Sequence, residues 1–401
     1  MVPKGWELSS IGKISDVSSG GTPSRNNEAY WNGNIPWVTT AEVQFKIIED
    51  TVEKITEEGL ANSSAKLFPA GTILMAMYGQ GKTRGQVAKL GIDASTNQAC
   101  AAIVLHTGYE VDFYYQFLIS QYENIREMAN SGGQQNLSGG IVKSIPVPVP
   151  PLTEQKKIAK ILSTWDKAIS VTEKLLANSQ QQKKALMQQL LTGKKRLLNE
   201  NGVRFSGKWI WLRAAELFKT ISQKNNSEDE ELLAVTQDLG VIPRSMLERR
   251  VVMPDGSTKG YKLVVSGNFI ISLRSFQGGL EYSRYRGLVS PAYTVLTPIK
   301  KIVDEFYMQY YKSYDFIGHL AVAVIGIRDG KQISYEDFSF LKLPYPEIEE
   351  QQKIATVLSA ADDEIATLEK KLACLRDEKK ALMQQLLTGK RRVKVDEAVA
   401  E

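Results

Sequence analysis

The stretch of sequence that decides the fold occurs twice. Residues 154–196 read EQKKIAKILSTWDKAISVTEKLLANSQQQKKALMQQLLTGKKR, and residues 350–392 read EQQKIATVLSAADDEIATLEKKLACLRDEKKALMQQLLTGKRR. The two copies align without a gap at an offset of 196, and 26 of the 43 positions are identical. Such identity at a fixed offset indicates an internal repeat, so the chain consists of two related halves.

Each copy has the apolar spacing of a long coiled-coil helix. Alternating steps of four and three residues over five heptads predict a narrow apolar seam. Each helix of about 38 residues should be roughly 57 Å long. The predicted seam residues are Ile158, Leu162, Trp165, Ile169, Leu176, Leu186 and Leu190 in the first copy and Ile354, Leu358, Ile365, Leu372, Leu382 and Leu386 in the second.

Prolines precede both helices and glycines follow them. Pro150 and Pro346 lie just upstream, and Gly193 and Gly389 come after the last apolar residues, each followed by basic residues. Because one seam must be buried against another, we expect the two copies to pair in an antiparallel coiled coil.

Two lysines occupy equivalent positions in the two seams. Lys183 and Lys379 are separated by the repeat offset of 196. A polar residue in a seam can fix the register of the helix pair. The alternative is that both lysines are merely tolerated near a frayed helix end.

The segments before the helices are diverged copies of one globular module. FPAGTILMAM, ending at Met77, has the pattern of VVSGNFIISL, ending at Leu273. Short apolar runs separated by turn residues predict an α/β (α+β) fold for both. The predicted domains are a first module at 1–150, a first helical spacer at 151–197, a second module at 198–345, and a second helical spacer with a C-terminal tail at 346–401.

Composition places the chain among ordinary globular proteins. It has 401 residues, of which 43% are hydrophobic and 24% charged, with a net charge of +5. Neither a signal peptide nor an apolar run long enough to span a membrane is expected. The two cysteines, Cys100 and Cys374, cannot form a disulfide framework, which favours a cytoplasmic location.

Catalytic motifs are not found in the sequence. The two histidines, His106 and His319, lack the HExxH spacing of zinc proteases. Residues 81–83 (Gly-Lys-Thr) imitate the end of a phosphate-binding loop, but the required first glycine is replaced by Ala76. No Asn-Pro-Pro-aromatic tetrapeptide is present to hold a flipped adenine. We therefore expect no catalytic residue, no metal site and no cofactor bound by this chain.

Two loops at equivalent places in the modules, residues 77–86 and 273–286, combine glycine with basic and aromatic residues. Arg and Lys bind phosphates and guanine edges, and Gln can read adenine. The alternative is a tight hairpin with a solvated tip. The candidate DNA-binding residues are Tyr78, Gln80, Lys82 and Arg84 in the first loop, Arg274, Gln277, Arg284 and Arg286 in the second, Arg25 in a weaker polar loop at 18–27, and Lys331 in a polar run of the second module.

The order and duplication of these features resemble the specificity subunit of type I restriction-modification systems along essentially the whole chain. Residues 6–8 (Trp-Glu-Leu) resemble the opening of the family's module. Residues 132–138 (Gly-Gly-Gln-Gln-Asn-Leu-Ser) resemble its end, and the Leu-Leu-Thr-Gly-Lys that closes each helix matches the family's conserved helices.

The resemblance implies a non-catalytic recognition subunit of a type I restriction enzyme and adenine methyltransferase complex. Each module would be a target recognition domain for one half of a split DNA sequence. The coiled coil would set the gap and dock two methyltransferase subunits. S-adenosylmethionine, ATP and Mg²⁺ would be bound by these subunits and by a restriction (motor-nuclease) subunit. The rival hypothesis is a structural coiled-coil adaptor whose modules bind protein.

Overall fold

The computed structural model describes residues 2–79, 81–130, 136–227, 229–247, 258–273, 275–323 and 333–395. The chain divides into two compact units, one formed by Met1–Glu173 with Lys371–Glu401 and the other by Lys174–Lys370. Each unit therefore combines one module with half of each long helix. Among the described residues, no helix is both long and apolar enough to cross a membrane.

The first module is built on a five-stranded sheet of order β2-β9-β6-β7-β4, a three-stranded sheet of order β5-β3-β8, and the antiparallel pair β1-β10. The pair β1-β10 brings the start of the module beside its end, because Glu7 lies opposite Val149. The strands are β1 (Glu7–Ser10), β2 (Ser15–Ser19), β3 (Trp31–Val38), β4 (Ile47–Ile48), β5 (Glu53–Ile55), β6 (Ile73–Ala76), β7 (Val87–Leu90), β8 (Ser95–Thr96), β9 (Cys100–Leu105) and β10 (Pro146–Val149). The helices are α1 (Ile11–Ile14), α2 (Glu57–Ala61), α3 (Val111–Ser120), α4 (Tyr122–Asn130), α5 (Gly139–Ser144) and the long α6 (Leu152–Leu190).

Among the described residues, the second module has a four-stranded sheet of order β12-β19-β16-β17, the hairpin β13-β14, and the pairs β15-β18 and β11-β20. Its strands are β11 (Ile210–Arg213), β12 (Phe218–Ile221), β13 (Leu233–Thr236), β14 (Gly240–Pro243), β15 (Lys262–Val264), β16 (Phe269–Ile271), β17 (Glu281–Tyr282), β18 (Gly287–Val289), β19 (Thr294–Pro298) and β20 (Lys342–Tyr345). Its helices are α7 (Ala214–Leu217), α8 (Ser275–Gly278), α9 (Asp304–Tyr311), α10 (Tyr314–Ala323), α11 (Tyr335–Ser339) and the long α12 (Ile348–Leu386).

The long helices α6 and α12 run antiparallel to each other in both units. In the first unit, Arg376 of α12 pairs with Glu173 of α6 at 2.7 Å. In the second unit, the Ser179 hydroxyl of α6 donates to Glu364 of α12 at 3.1 Å. The residue number rises along one helix as it falls along the other, as the antiparallel coiled coil predicted from the repeat requires. Each helix has 39 residues and is therefore about 58 Å long.

The described side chains of the predicted seam are all buried or half-buried. Exposure is lowest where the seam meets a module. The fully buried seam residues are Ile158, Leu162, Leu190, Ile354, Leu358, Leu372 and Leu386, and the half-buried ones are Trp165, Ile169, Leu176, Leu186, Ile365 and Leu382.

The long helices belong to the hydrophobic cores of the modules. The core of the first unit includes Ile158 and Leu162 of α6 together with Leu387, just after α12. The core of the second unit includes the equivalent residues Ile354 and Leu358. Burial of these side chains stabilises each module on both helices at once, because apolar burial contributes roughly 25 cal/mol per Å².

A buried ion pair joins the ends of the helices to the first module. Glu154, 6% exposed, accepts hydrogen bonds from the Trp6 indole N–H at 3.3 Å and from Arg392 Nε at 2.9 Å. The Arg392 guanidinium also lies over the Trp6 ring, 5.7 Å from its centroid. We call Trp6, Glu154 and Arg392 the first helix-end latch.

The second unit contains the same latch, formed by Trp209, Glu350 and Arg196. Glu350, 1% exposed, accepts from the Trp209 indole N–H at 2.9 Å and from Arg196 through Nε at 2.6 Å and Nη2 at 2.7 Å. Gly193 ends the helical segment with a φ of 71°, and the Trp209 ring lies against it, so that an added Cβ would be 3.2 Å from the ring. The positive φ therefore favours glycine here, and a larger residue would press on the Trp209 ring.

A second repeated contact crosses the coiled coil. In the first unit, the buried Gln116 of α3 donates to one carboxylate oxygen of Asp166 on α6, and Lys379 of α12 donates to the other at 2.6 Å. One carboxylate therefore connects the module, its own helix and the antiparallel helix. We call Gln116, Asp166 and Lys379 the first cross-helix bridge.

The second cross-helix bridge consists of Gln309, Asp362 and Lys183. Gln309 of α9 donates to Asp362 of α12 at 2.6 Å, and Lys183 of α6 donates to the other oxygen of the same carboxylate. Both seam lysines thus pair with an aspartate on the opposite helix. A one-turn slip would separate each pair, so the bridges favour a single register.

Candidate nucleic-acid interface

The first candidate loop connects β6 to β7 in a conformation that depends on glycine. Gly79, Gly81 and Gly85 have φ values of 137°, 69° and 86°. Backbone of this kind is open to glycine and strained for most other residues. The side chains of Tyr78, 41% exposed, and Lys82 are exposed on this loop. The loop therefore presents an aromatic ring and a cation to solvent.

Helix α4 braces this loop from behind. The Tyr122 hydroxyl donates to the Lys82 carbonyl oxygen, and Arg126 donates to the Gly81 carbonyl oxygen at 2.9 Å. Arg126 also donates to the Tyr122 hydroxyl at 3.1 Å. Tyr122 and Arg126 were not predicted as interface residues. Their spacing of four, which places both on one helix face, is the signal of this pair in the sequence. The loop is thus pre-organised, a property that favours binding because less conformational freedom is lost.

The two other candidate cations of the first module, Arg84 and Arg25, have different surroundings. Arg84 is half-buried at the end of the loop. The Arg25 guanidinium forms a two-pronged pair with Glu53 and lies 3.8 Å from the Trp31 ring centroid. Hydrogen bonding to Arg25 lowers the pKa of the Glu53 carboxyl. Arg25 is therefore already engaged within the module, although about half of its side chain stays exposed.

The second candidate loop, residues 273–286, is shaped by a half-buried lysine, Lys312, which was not among the predicted site residues. Lys312 Nζ donates to the Gly278 carbonyl oxygen at 2.9 Å, to the Gln237 carbonyl oxygen at 3.3 Å, and to the buried carboxylate of Glu281. Burial raises the pKa of the Glu281 carboxyl to about 7, against the opposing effect of Lys312. Lys312 therefore holds the loop, the hairpin β13-β14 and β17 together.

Cations project from the end of this second loop. Arg284 and Arg286 are exposed. Arg286 pairs with Glu230 at 2.7 Å, and Arg284 lies 3.9 Å from Glu305. Surface ion pairs of this kind are weak, on the order of 0–1 kcal/mol, so a phosphate can replace the carboxylate at small cost.

Gln277, another predicted binding residue of the second loop, is exposed on α8. Three of the predicted binding residues, Gln80, Arg274 and Lys331, lie outside the described residues.

The described residues do not form a cluster of metal ligands. Over these residues, no cluster of three or more His, Cys, Asp or Glu side chains could hold a metal ion. The two histidines lie at the surface, His106 beside Asp16 at 3.3 Å and His319 beside Asp315 at 3.6 Å. The chemistry available at the loops is that of binding: ammonium and guanidinium donors suited to phosphates and base edges.

Each of the two globular modules carries exposed basic residues on loops and is anchored to both long helices. The family model described as the type I restriction modification DNA specificity domain matches residues 3–178 and 194–375. Because the match covers most of the chain, the protein belongs to this family. It is a DNA specificity subunit of a type I restriction-modification system.

Individual relatives support the same assignment. A putative type I restriction enzyme specificity subunit, MjaX of Methanocaldococcus jannaschii, is 26% identical over 425 residues that cover 98% of this chain and 95% of the relative. The MjaIX specificity subunit of the same organism is 32% identical over 178 residues. That match covers 43% of this chain and 40% of the relative, which is less than half the length of each.

Two solved structures share the fold. The S subunit of a type I restriction-modification system from M. genitalium superposes with a TM-score of 0.61 at 15% identity, and the match covers 96% of both chains. A chain from a structure described as the basis of complex assembly and conformational transition of the type I system gives a TM-score of 0.56 at 16% identity, covering 98% of this chain and 100% of that one.

Proposed function

We propose that the two modules read the two halves of a bipartite DNA target and that the coiled coil sets the unread gap between them. The observation that carries this proposal is the repetition of the helix-end latch and the cross-helix bridge. In each unit the same contacts hold a module to both long helices. Two different reading modules on one repeated frame suit a target whose halves differ and whose separation is fixed.

The loops support DNA as the ligand of both modules. Lys82, Arg284 and Arg286 place charge on exposed loops that are braced from behind, by α4 in the first module and by Lys312 in the second. Phosphate contacts from such residues supply affinity that falls with salt, and contacts to base edges supply sequence preference.

We propose further that the chain is non-catalytic and acts in the cytoplasm through its partners. Two methyltransferase subunits would dock on the repeated helices, because an approximate two-fold repeat suits two identical partners. These subunits would bind S-adenosylmethionine and modify adenine. A restriction subunit would use ATP and Mg²⁺.

The length of the coiled coil offers the test. Residues 176–182 of α6 face residues 363–369 of α12 in the antiparallel register, so deleting both segments removes one heptad from each helix and keeps Lys183 opposite Asp362. The helix pair should shorten by about 10 Å, which corresponds to roughly three base pairs. Mapping methylated adenines in a host that carries the complex should show a shorter gap between unchanged half-sites.

The matched control removes residues 179–182 from α6 alone. This deletion shifts the part of α6 before it against the part after it, so the Asp166–Lys379 and Lys183–Asp362 pairs no longer share one register. We expect this variant to lose modification. An unchanged gap in the double-heptad variant would contradict the proposal that the coil sets the spacing.

A further inference from the structure

Phe45 has a backbone conformation that its side chain disfavours. Its φ is 51°, in the left-handed region, where a bulky residue is strained and glycine or asparagine is not. The conformation is held from both sides: the Phe45 N–H donates to the Val87 carbonyl oxygen at 2.8 Å, and Ile47 pairs with Lys89 in the sheet. The strain is thus imposed by the β4-β7 pairing.

The Phe45 side chain does not explain why phenylalanine occupies this position. It is 36% exposed, and it lies outside the buried hydrophobic clusters of the described residues. Its neighbours Gln44 and Lys46 are also exposed. The ring gives up part of the apolar stabilisation that scales with the area removed from water, and the left-handed backbone at Phe45 costs energy in addition.

The position of Phe45 places it on the candidate interface. Its ring meets the Tyr122 ring edge to face, with centroids 5.2 Å apart and planes at 88°. The same Tyr122 donates its hydroxyl hydrogen to the Lys82 carbonyl oxygen in the candidate loop. Phe45 and Lys82 therefore both contact Tyr122. The exposed amide, aromatic ring and ammonium of residues 44–46 lie close to the loop through this tyrosine.

We propose that Phe45 makes an apolar contact with bases in the half-site read by the first module, and that residues 44–46 form a second DNA-reading segment beside residues 77–86. Aromatic and other apolar side chains contact thymine methyl groups and stacked base surfaces in protein–DNA complexes. The proposal rests on DNA reading by the first module. It gives a reason for a phenylalanine at position 45, where the positive φ strains the backbone.

The test compares Phe45→Gly and Phe45→Asn with the parent chain in the reconstituted methyltransferase complex. Both replacements suit a positive φ, so the variants should melt at or above the parent temperature. They should bind the target duplex at least tenfold more weakly. They should also lose discrimination at one or two adjacent base pairs of the first half-site, while the second half-site is read as before. Leu67→Asn, at a residue 50% exposed in the same module, is the control and should change neither property.

A direct contact is checked by placing the photoreactive p-benzoylphenylalanine at position 45 or, as a control, at position 67. Crosslinking to the first half-site from position 45 alone is the expected result. Variants that melt well below the parent, or that bind and discriminate as the parent does, would overturn the proposal for Phe45. A parent complex that shows no base preference in that half-site would instead refute the reading function itself.

Discussion

The helix ends of the two repeats make the same contacts, whereas the loops of the two modules differ. At the helix ends the two repeats keep the same contacts: Glu154 and Glu350 are both buried, and each accepts from a tryptophan and an arginine. At the loops the repeats share only a place in the fold. The first loop is braced by Tyr122 and Arg126 and the second by Lys312.

This difference fits the proposal that assembly constrains the helix ends and that the DNA target constrains the loops. A contact that joins a module to both helices must satisfy the same geometry twice, so its residues stay the same. A loop that reads a separate half-site has no such requirement. We expect both the repeated helix ends and the diverged loops if one pair of long helices carries two modules that read different half-sites.

The largest effect is expected at the more deeply buried latch. Replacing Arg196 with Met should leave the Glu350 carboxylate buried beside Trp209 without its cation, which lowers the free energy of unfolding by about 3–5 kcal/mol. Arg392→Met should cost less, because Arg392 is 41% exposed whereas Arg196 is 20% exposed, so water can hydrate Glu154 more easily. Urea unfolding of the chain measures both changes.

Lys195→Met is the control, since this exposed neighbour lies one residue from Arg196. The double variant Arg196→Met/Glu350→Gln should recover part of the loss because it removes the unpaired charge. If Arg196→Met unfolds like the Lys195 variant, the latch does not stabilise the second unit.

A smaller effect, on binding rather than folding, is expected at the loops. Lys82→Gln, Arg284→Gln and Arg286→Gln should each weaken DNA binding by the complex while the melting temperature stays unchanged, since these side chains are exposed. Loss of a base contact should cost about 1–3 kcal/mol at one target position, and loss of a phosphate contact should lower the salt dependence by about one ion.

The control for the loop cations is Lys13→Gln, an exposed lysine on α1, a helix that packs beside α5. Binding titrations on target and non-target duplexes at several salt concentrations distinguish the two kinds of contact. Equal affinities for the three loop variants and the control would show that these loops are not the reading surface.

The helical frame could be predicted from the sequence because it is periodic and duplicated. Two gapless copies with apolar steps of four and three residues specify helices, seam and register. The latch could not be predicted, because Trp6 and Glu154 are 148 residues apart and their hydrogen bond depends on how the module folds back onto the helix.

The composition of the sequence predicts which loops form the candidate interface, but not the residues that hold those loops in place. Glycines and cations mark the loops at 77–86 and 273–286. Tyr122 and Arg126 share one helix face by their spacing, but nothing in the sequence links them, or Lys312, to those loops. Phe45 is found only from its backbone, because a positive φ at a phenylalanine leaves no signal in the sequence.

The central claim is that each module reads its own half of the target independently. The most direct measurement replaces residues 1–147 with the corresponding module of a relative that modifies a different known sequence, and maps methylated adenines in a host that carries the methyltransferase partner. The frame contacts of Glu154 and Asp166 lie outside the exchanged segment, whereas Trp6 and Gln116 lie inside it, so the donor module must supply a tryptophan and a glutamine at those places. We predict a methylated motif in which one half changes to that of the donor and the other half and the gap stay the same. A motif in which both halves change, or in which neither does, would contradict the account.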